Sequence, residues 1–156
     1  MFVQRFRKVI LSDMKNRRLG AAALILNDEG HVLLVKHSYG PLNWELPGGA
    51  AERGESIVGT AVREVREETG LRVIAQETMG VYYDPASDML HFVFLCRRVG
   101  EGTQFESDGE VSEWTYWPPS ALPRPISDFT VQRINDALSG TRQLLPVNIA
   151  PPQWLK

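Results

Sequence analysis

GGAAERGESIVGTAVREVREETGL, residues 48–71, opens on two glycines and closes on a knot of charge. Within it Ile57, Val58, Ala61, Val62 and Val65 recur at helical spacing and share one face, which predicts an amphipathic helix over 57–68. Gly70 stands just past its end, where a helix stops most readily on glycine. Glu64 and Glu68 are four apart and share a face; Glu67 lies on the adjacent edge. At helical spacing the three carboxylates span an arc of about 100° beside the apolar stripe. Like charges so placed repel. Two readings offset that cost. One is an ordinary solvated face, softened by Arg63 and Arg66. The other is a set of hard oxygen ligands for Mg²⁺ or Mn²⁺, a cation that removes the repulsion and commonly shares its ligands with phosphate oxygens. The glycines ahead of the helix allow close backbone approach and can offer a carbonyl.

Outward from this segment the chain reads as strands. Gly20–Asp28 is a short apolar run ended by the turn Asp28-Glu29-Gly30, and His31–Ser38 follows as its partner in an expected hairpin. Residues 39–49, YGPLNWELPGG, are broken twice by proline and read mostly as loop, with a short extended piece at Trp44–Leu46. Two further strands, 71–84 and 89–99, flank a turn at Pro85–Asp88. A short strand over 112–117 stops at two prolines, and a second helix starts at Ser127 or Asp128 and stops at Gly140. The pattern is α+β, an α/β/α sandwich around a mixed sheet. It is one domain with a core of about 19–138, a basic lead-in over 1–18 and a proline-broken tail over 139–156 with no assignment beyond extended chain.

The bulk numbers narrow little. A chain of 156 residues suits one domain. Its formal charge of −2 gives no support to a nucleic-acid-coating surface. A lone cysteine, Cys96 in an apolar run, makes no internal disulfide and fits a cytoplasmic setting. No stretch has the length and apolarity of a membrane span. The lead-in lacks the continuous apolar core of a signal peptide; a solvated helix, an extended lead-in or a membrane-surface contact are its open readings.

Gly49, five residues, Glu55, seven residues, then Arg63-Glu64-Val65-x-Glu67-Glu68-x-Gly70-Leu71 resembles the signature of the Nudix hydrolases, G-x5-E-x7-R-E-U-x-E-E-x-G-U, with every fixed position matched. The resemblance extends from Gly20 to about Leu138 and is similar in its lead-in to small bacterial MutT-like and ADP-ribose pyrophosphatase-like members. It implies a hydrolase that cleaves a nucleoside diphosphate linked to another group, with Mg²⁺ or Mn²⁺ as cofactor. By the same resemblance Glu64, Glu67, Glu68 and the Gly48 carbonyl match metal ligands. Glu64 is also a candidate to orient or deprotonate the attacking water. Glu67 is placed with Glu64 among the catalytic residues. Glu55 and Arg63 match a bridging pair and, with Gly49 and Gly70, are assigned to structure.

An extra catalytic glutamate from a loop beyond the box is sought in 105–114, where Glu110 is preferred over Asp108 and Glu106. Lys36 and Tyr83 are the substrate-binding candidates, Lys36 toward a phosphate and Tyr83 toward a base; Tyr39, Trp44 and Tyr82 are alternatives for stacking, and His91 is read as structural. The partners expected are a small nucleotide substrate, neither membrane nor nucleic acid, and an open question of a homodimer, since the apolar tail suits a partner or its own domain. The alternative of another class is a binding module of the same fold that does not cleave. Such a module tolerates loss of the carboxylates, and none is lost here.

Overall fold

The computed structural model describes residues 18–107 and 109–156; most of the basic lead-in and Asp108 lie outside it. Ten strands form two five-stranded mixed sheets, with two α-helices among the described residues. The first sheet has the order β4-β1-β6-β5-β9, with β1 at Arg18–Ile25, β4 at Gly48–Ala50, β5 at Val73–Asp84, β6 at Met89–Arg98 and β9 at Gln143–Asn148. The second has the order β10-β8-β3-β2-β7, with β2 at Val32–His37, β3 at Trp44–Glu45, β7 at Val111–Trp117, β8 at Ile126–Ser127 and β10 at Trp154–Leu155. The helices are α1, Ile57–Thr69, and α2, Asp128–Leu138.

β1 explains the layering. Its run is apolar at consecutive positions, and successive side chains of a strand point to opposite faces. Ala21, Ala23 and Ile25 pack in one core with Ala61 and Val65 of α1. Ala22 and Leu24 pack in the other with Phe129, Ile134 and Ala137 of α2. The helices therefore cover opposite faces, which is the sandwich that the sequence predicts.

Two expectations are corrected. The hairpin of β1 with β2 is reduced to a single bridge, Leu26 with Val32. A strand has two edges, and β1 gives one to β6 in parallel and the other to β4 in antiparallel register, so β2 passes to the second sheet. The glycines read as loop are strand β4, with Gly48 opposite Ala22 and Gly49 opposite Ala21. The tail read only as extended chain closes both sheets. β9 runs parallel to β5, and β10 runs antiparallel to β8. Between them Asp128 and Gln153 exchange two bonds: the Asp128 amide donates to the Gln153 carbonyl at 2.9 Å, and the Gln153 amide donates to Asp128 Oδ1 at 2.8 Å. The tail thus packs on its own domain.

Local chemistry holds α1 in place. Ser56 caps it, accepting the Gly59 amide on Oγ at 3.0 Å, and Gly70 ends it in the left-handed region at φ 74°. Ser56→Ala is expected to cost about 1 kcal/mol, read as a lower urea midpoint; an unchanged midpoint would show that the cap contributes nothing.

Candidate active site

The arrangement around α1 is organised by one guanidinium. Arg63 donates from Nε to Glu55 Oε1 at 2.8 Å and from Nη2 to Glu55 Oε2 at 3.1 Å and to the Ala50 carbonyl at 3.1 Å. This is the bridge that the resemblance implies. Its Nη1 also donates to Glu64 Oε1 at 2.8 Å and to Glu67 Oε2 at 2.9 Å. Arg63 thus joins the loop before the helix to two of the three carboxylates. The hydrogen bonds from Arg63 hold Glu55 well below the usual carboxylate range, at about 2. Among the described residues Arg66 makes no such contact; it lines a separate polar cleft with Glu67, Thr103 and Glu106.

Glu68 is 7% exposed and accepts the Gly48 amide on Oε2 at 2.9 Å, which ties β4 to the end of α1. Glu64 is pushed up, first by desolvation, with Arg63 opposing and the charges of Glu67 and Glu110 adding to the rise. Glu110 is the loop glutamate whose charge reaches Glu64. Its backbone carbonyl also accepts the Ser38 amide at 2.9 Å, and Ser38 Oγ donates to the Gly109 carbonyl. The loop after β2 is stitched in this way to the loop that carries Glu110. Tyr39, on the same stitched loop and 57% exposed, is pushed up by desolvation and by the charges of Glu110, Glu68, Glu45 and Glu64.

The two residues read as substrate contacts have protein partners. Lys36 Nζ donates to Glu113 at 3.2 Å and lies over the Trp44 ring at 5.7 Å. The Tyr83 hydroxyl donates to Asp88 Oδ1 at 2.9 Å.

The donor set has the chemistry of a hard-cation site: carboxylate oxygens at one end of a packed helix, with the Gly48 backbone beside them. Among the described residues no three acidic, histidine or cysteine side chains converge on a common point. Arg63 holds Glu64 and Glu67, and the Gly48 amide holds Glu68. The donors fit such an ion by type and by the negative charge that crowds Glu64; holding one requires carboxylate rotamers turned off Arg63.

A cavity of about 240 Å³ opens beside β4. Sequence reading missed it. It is lined by the backbone of Gly48 and Gly49 together with Glu45, His91, Phe129 and Arg133. Arg133 is 5% exposed, lies 4.2 Å over the Phe129 ring, and pairs through Nη2 with Glu45 Oε1. His91 packs edge-on against Phe129 at 5.3 Å. Burial, then the nearby Arg133 charge, pulls His91 down to about 4, with Asp84 and Glu45 opposing and Arg18 adding to the fall. A histidine lowered on folding stabilises the neutral form. The stability it contributes is present above its unfolded value of 6.5 and is lost as pH falls from there through about 4. The parent is expected to lose more urea resistance between pH 7 and pH 4.5 than His91→Gln does; equal losses would remove His91 from the acid response.

The NUDIX domain family matches residues 16–135. The chain belongs to the Nudix hydrolases. It is similar to a candidate 8-oxo-dGTP diphosphatase of Bacillus subtilis, with 35% identity over 127 residues, covering 80% of this chain and 83% of that one. It is also similar to an ADP-ribose pyrophosphatase of Methanocaldococcus jannaschii, with 32% identity over 73% of this chain and 75% of that one. Among solved structures, an ADP-ribose pyrophosphatase of Streptococcus suis superposes with a TM-score of 0.67 and 26% identity, covering 85% of this chain and 97% of that one. This Nudix protein is accordingly a pyrophosphohydrolase acting on nucleotide diphosphate substrates. No helix among its described residues is long and apolar enough to cross a membrane.

Proposed function

We propose that this Nudix hydrolase cleaves the phosphoric anhydride of a nucleoside diphosphate linked to a further group by attack of water on phosphorus, with Mg²⁺ or Mn²⁺ bound at the box. The observation that supports the reading is the gathering of Glu64, Glu67 and Glu68 on α1 beside β4, tied to it through Arg63 and the Gly48 amide. Glu64, Glu67, Glu68 and the Gly48 carbonyl are the groups that would hold the cation. A bound divalent cation supplies neutralisation of the anhydride charge and a more acidic water. Glu64 is the residue assigned to orient that water or take its proton, standing half-buried in the box beside Arg63. Glu110 is the second carboxylate in reach of the same region, held by the Ser38 stitch. Glu67 belongs to the same catalytic set. Arg63 and Glu55 act as positioning residues, fixing the helix against the β4 loop.

The substrates to test first are those named for the relatives, 8-oxo-dGTP and ADP-ribose, beside nucleotide sugars, diadenosine polyphosphates and NADH. Product release with Mg²⁺ or Mn²⁺, abolished by chelator, is expected from at least one of these. Substrate binding that raises the melting temperature with no turnover under any metal would instead make this chain a binding module.

A further inference from the structure

We propose that the pocket between the turn after β2 and strand β10 is a second site for a nucleoside phosphate, apart from the box, and that the turn conveys its occupancy to the loop that carries Glu110. The occupant is argued from this pocket alone; only the consequence for hydrolysis rests on the hydrolase reading.

The pocket has a volume of about 420 Å³ and is lined by Pro41, Arg124, Pro125, Trp154 and Lys156. None of these belongs to the box, and none lines the cavity beside β4. Backbone bonds fix its walls. β10 lies antiparallel to β8, with Leu155 opposite Ile126 and Trp154 opposite Ser127. Leu155 packs on the core, so its strand neighbour Trp154 is turned to the other face, where it is 45% exposed. The Trp44 amide donates to the Pro125 carbonyl at 2.9 Å, which seats Pro125 against β3. The Leu42 amide donates to the Tyr39 carbonyl at 3.2 Å and closes the turn that carries Pro41.

The lining selects the occupant. Pro41, Pro125 and Trp154 present rigid, flat apolar faces. Arg124 and Lys156 are exposed, and neither makes a hydrogen bond or ion pair among the described residues. Two free cations beside flat apolar walls suit an anion that carries an aromatic ring. The volume falls within the ~300–1,000 Å³ of small-molecule pockets. A base stacked on Trp154 places its phosphate toward Arg124 and Lys156. Two other occupants carry the wrong charge. The basic lead-in, with Arg5, Arg7, Lys8, Lys15 and Arg17, is repelled by the rim. A second copy docked by a two-fold centred here sets the same cations against each other.

The turn also reaches the box side. Ser38, next to Tyr39, donates its amide to the Glu110 carbonyl and its hydroxyl to the Gly109 carbonyl. A ligand that fixes Pro41 therefore bears on the segment that holds Glu110.

The test uses the full chain with chelator present. AMP, GMP and CMP are titrated beside adenosine and inorganic phosphate, and the Trp154 indole resonance and the backbone amides are followed. All three nucleotides are expected to bind within a few-fold of one another, because stacking reads the face of a base and not its edge. Adenosine and phosphate alone are expected to bind at least about ten-fold more weakly, each making half of the contacts. Trp154→Ala, read at the Leu42 and Lys156 amides, and Arg124→Gln, read at the indole, are each expected to weaken AMP about ten-fold. In the parent the shifts extend to the Gly109 and Glu110 amides. With Mg²⁺ restored, AMP is expected to change the parent's rate in a way that added substrate does not relieve, and to lose that effect in both variants.

An indole unmoved by millimolar nucleotide would overturn the site. So would phosphate binding as tightly as AMP, which would leave a bare anion contact. A hexaglutamate peptide that binds more tightly than AMP would assign the pocket to an acidic protein segment instead. Shifts confined to the pocket would overturn the link to Glu110. If Trp154→Ala loosens β10, Arg124→Gln and the parent still decide. Occupancy with no hydrolysis of any substrate would uphold the site and overturn the hydrolase reading; hydrolysis with an unmoved indole would do the reverse.

Discussion

Glu64→Gln is expected to lower kcat by roughly 10²–10⁴-fold, the range for removing a general base, with the melting temperature nearly unchanged. Glutamine keeps the shape and can still accept from Arg63 Nη1, which bonds Glu64 at 2.8 Å. What it loses is the charge and the basicity. Glu64 is the carboxylate on which desolvation and the charges of Glu67 and Glu110 converge, so it combines a site for a cation with a site for a proton. Glu113→Gln is the control, because Glu113 bonds Lys36 on β2 and takes no part in the box. Initial rates at saturating substrate and Mg²⁺ check this. A Glu64→Gln enzyme within a few-fold of the parent would take Glu64 out of the chemistry.

The second large effect separates two neighbouring glycines. A Cβ on Gly48 would stand 2.3 Å from the Ala21 carbonyl oxygen and 2.7 Å from Ala22 Cα. These are backbone atoms of β1 and cannot yield without opening the β1–β4 pair. Gly48→Ala is therefore expected to cost about 1–3 kcal/mol or more in stability. A Cβ on Gly49 would meet the carboxylate of Glu64, at 2.4 Å from Oε1 and 2.7 Å from Cδ. That is the far end of a flexible side chain, so the fold can give way there and the reacting group moves instead. Gly49→Ala is expected to keep most of its stability and lose activity on the order of 10²-fold, the effect of about 1 Å of misplacement. Urea midpoints and rates on the same preparations check the contrast. Equal loss of stability in both would show that Gly49 is a packing residue only.

The helix, its stop and the charged face were legible because they are local: a period of 3.6 and a glycine after it. The Arg63–Glu55 bridge was legible only through the resemblance, since eight residues separate the pair across a turn. Arg63's further hold on Glu64 and Glu67 depends on a rotamer that spacing does not specify. The division into two sheets was hidden because it depends on which strands take the two edges of β1, and β6 lies far along the chain. Sheet pairing by the tail was masked by its prolines. Glu45 and Arg133 meet across 88 positions. In sequence Glu45 is one charge between Trp44 and Leu46, and Arg133 is one cation on the face of a helix four residues after Phe129. Charged residues at such apolar positions were the only signal available. For Lys36 and Tyr83, read as phosphate and base contacts, the partners Glu113 and Asp88 were not legible, because the pairing of β2 with β7 and the turn after β5 bring them near.

The central claim is that the box carboxylates bind a divalent cation and that hydrolysis depends on it. Binding of Mn²⁺, followed by the loss of its free electron paramagnetic signal as protein is added, tests this most directly when Glu64→Gln and Glu68→Gln are run beside the parent. The account predicts saturable binding by the parent, weakened at least ten-fold in both variants, and a hydrolysis rate that follows occupancy of the site. Equal Mn²⁺ binding by all three proteins, or hydrolysis that persists in chelator, would contradict it.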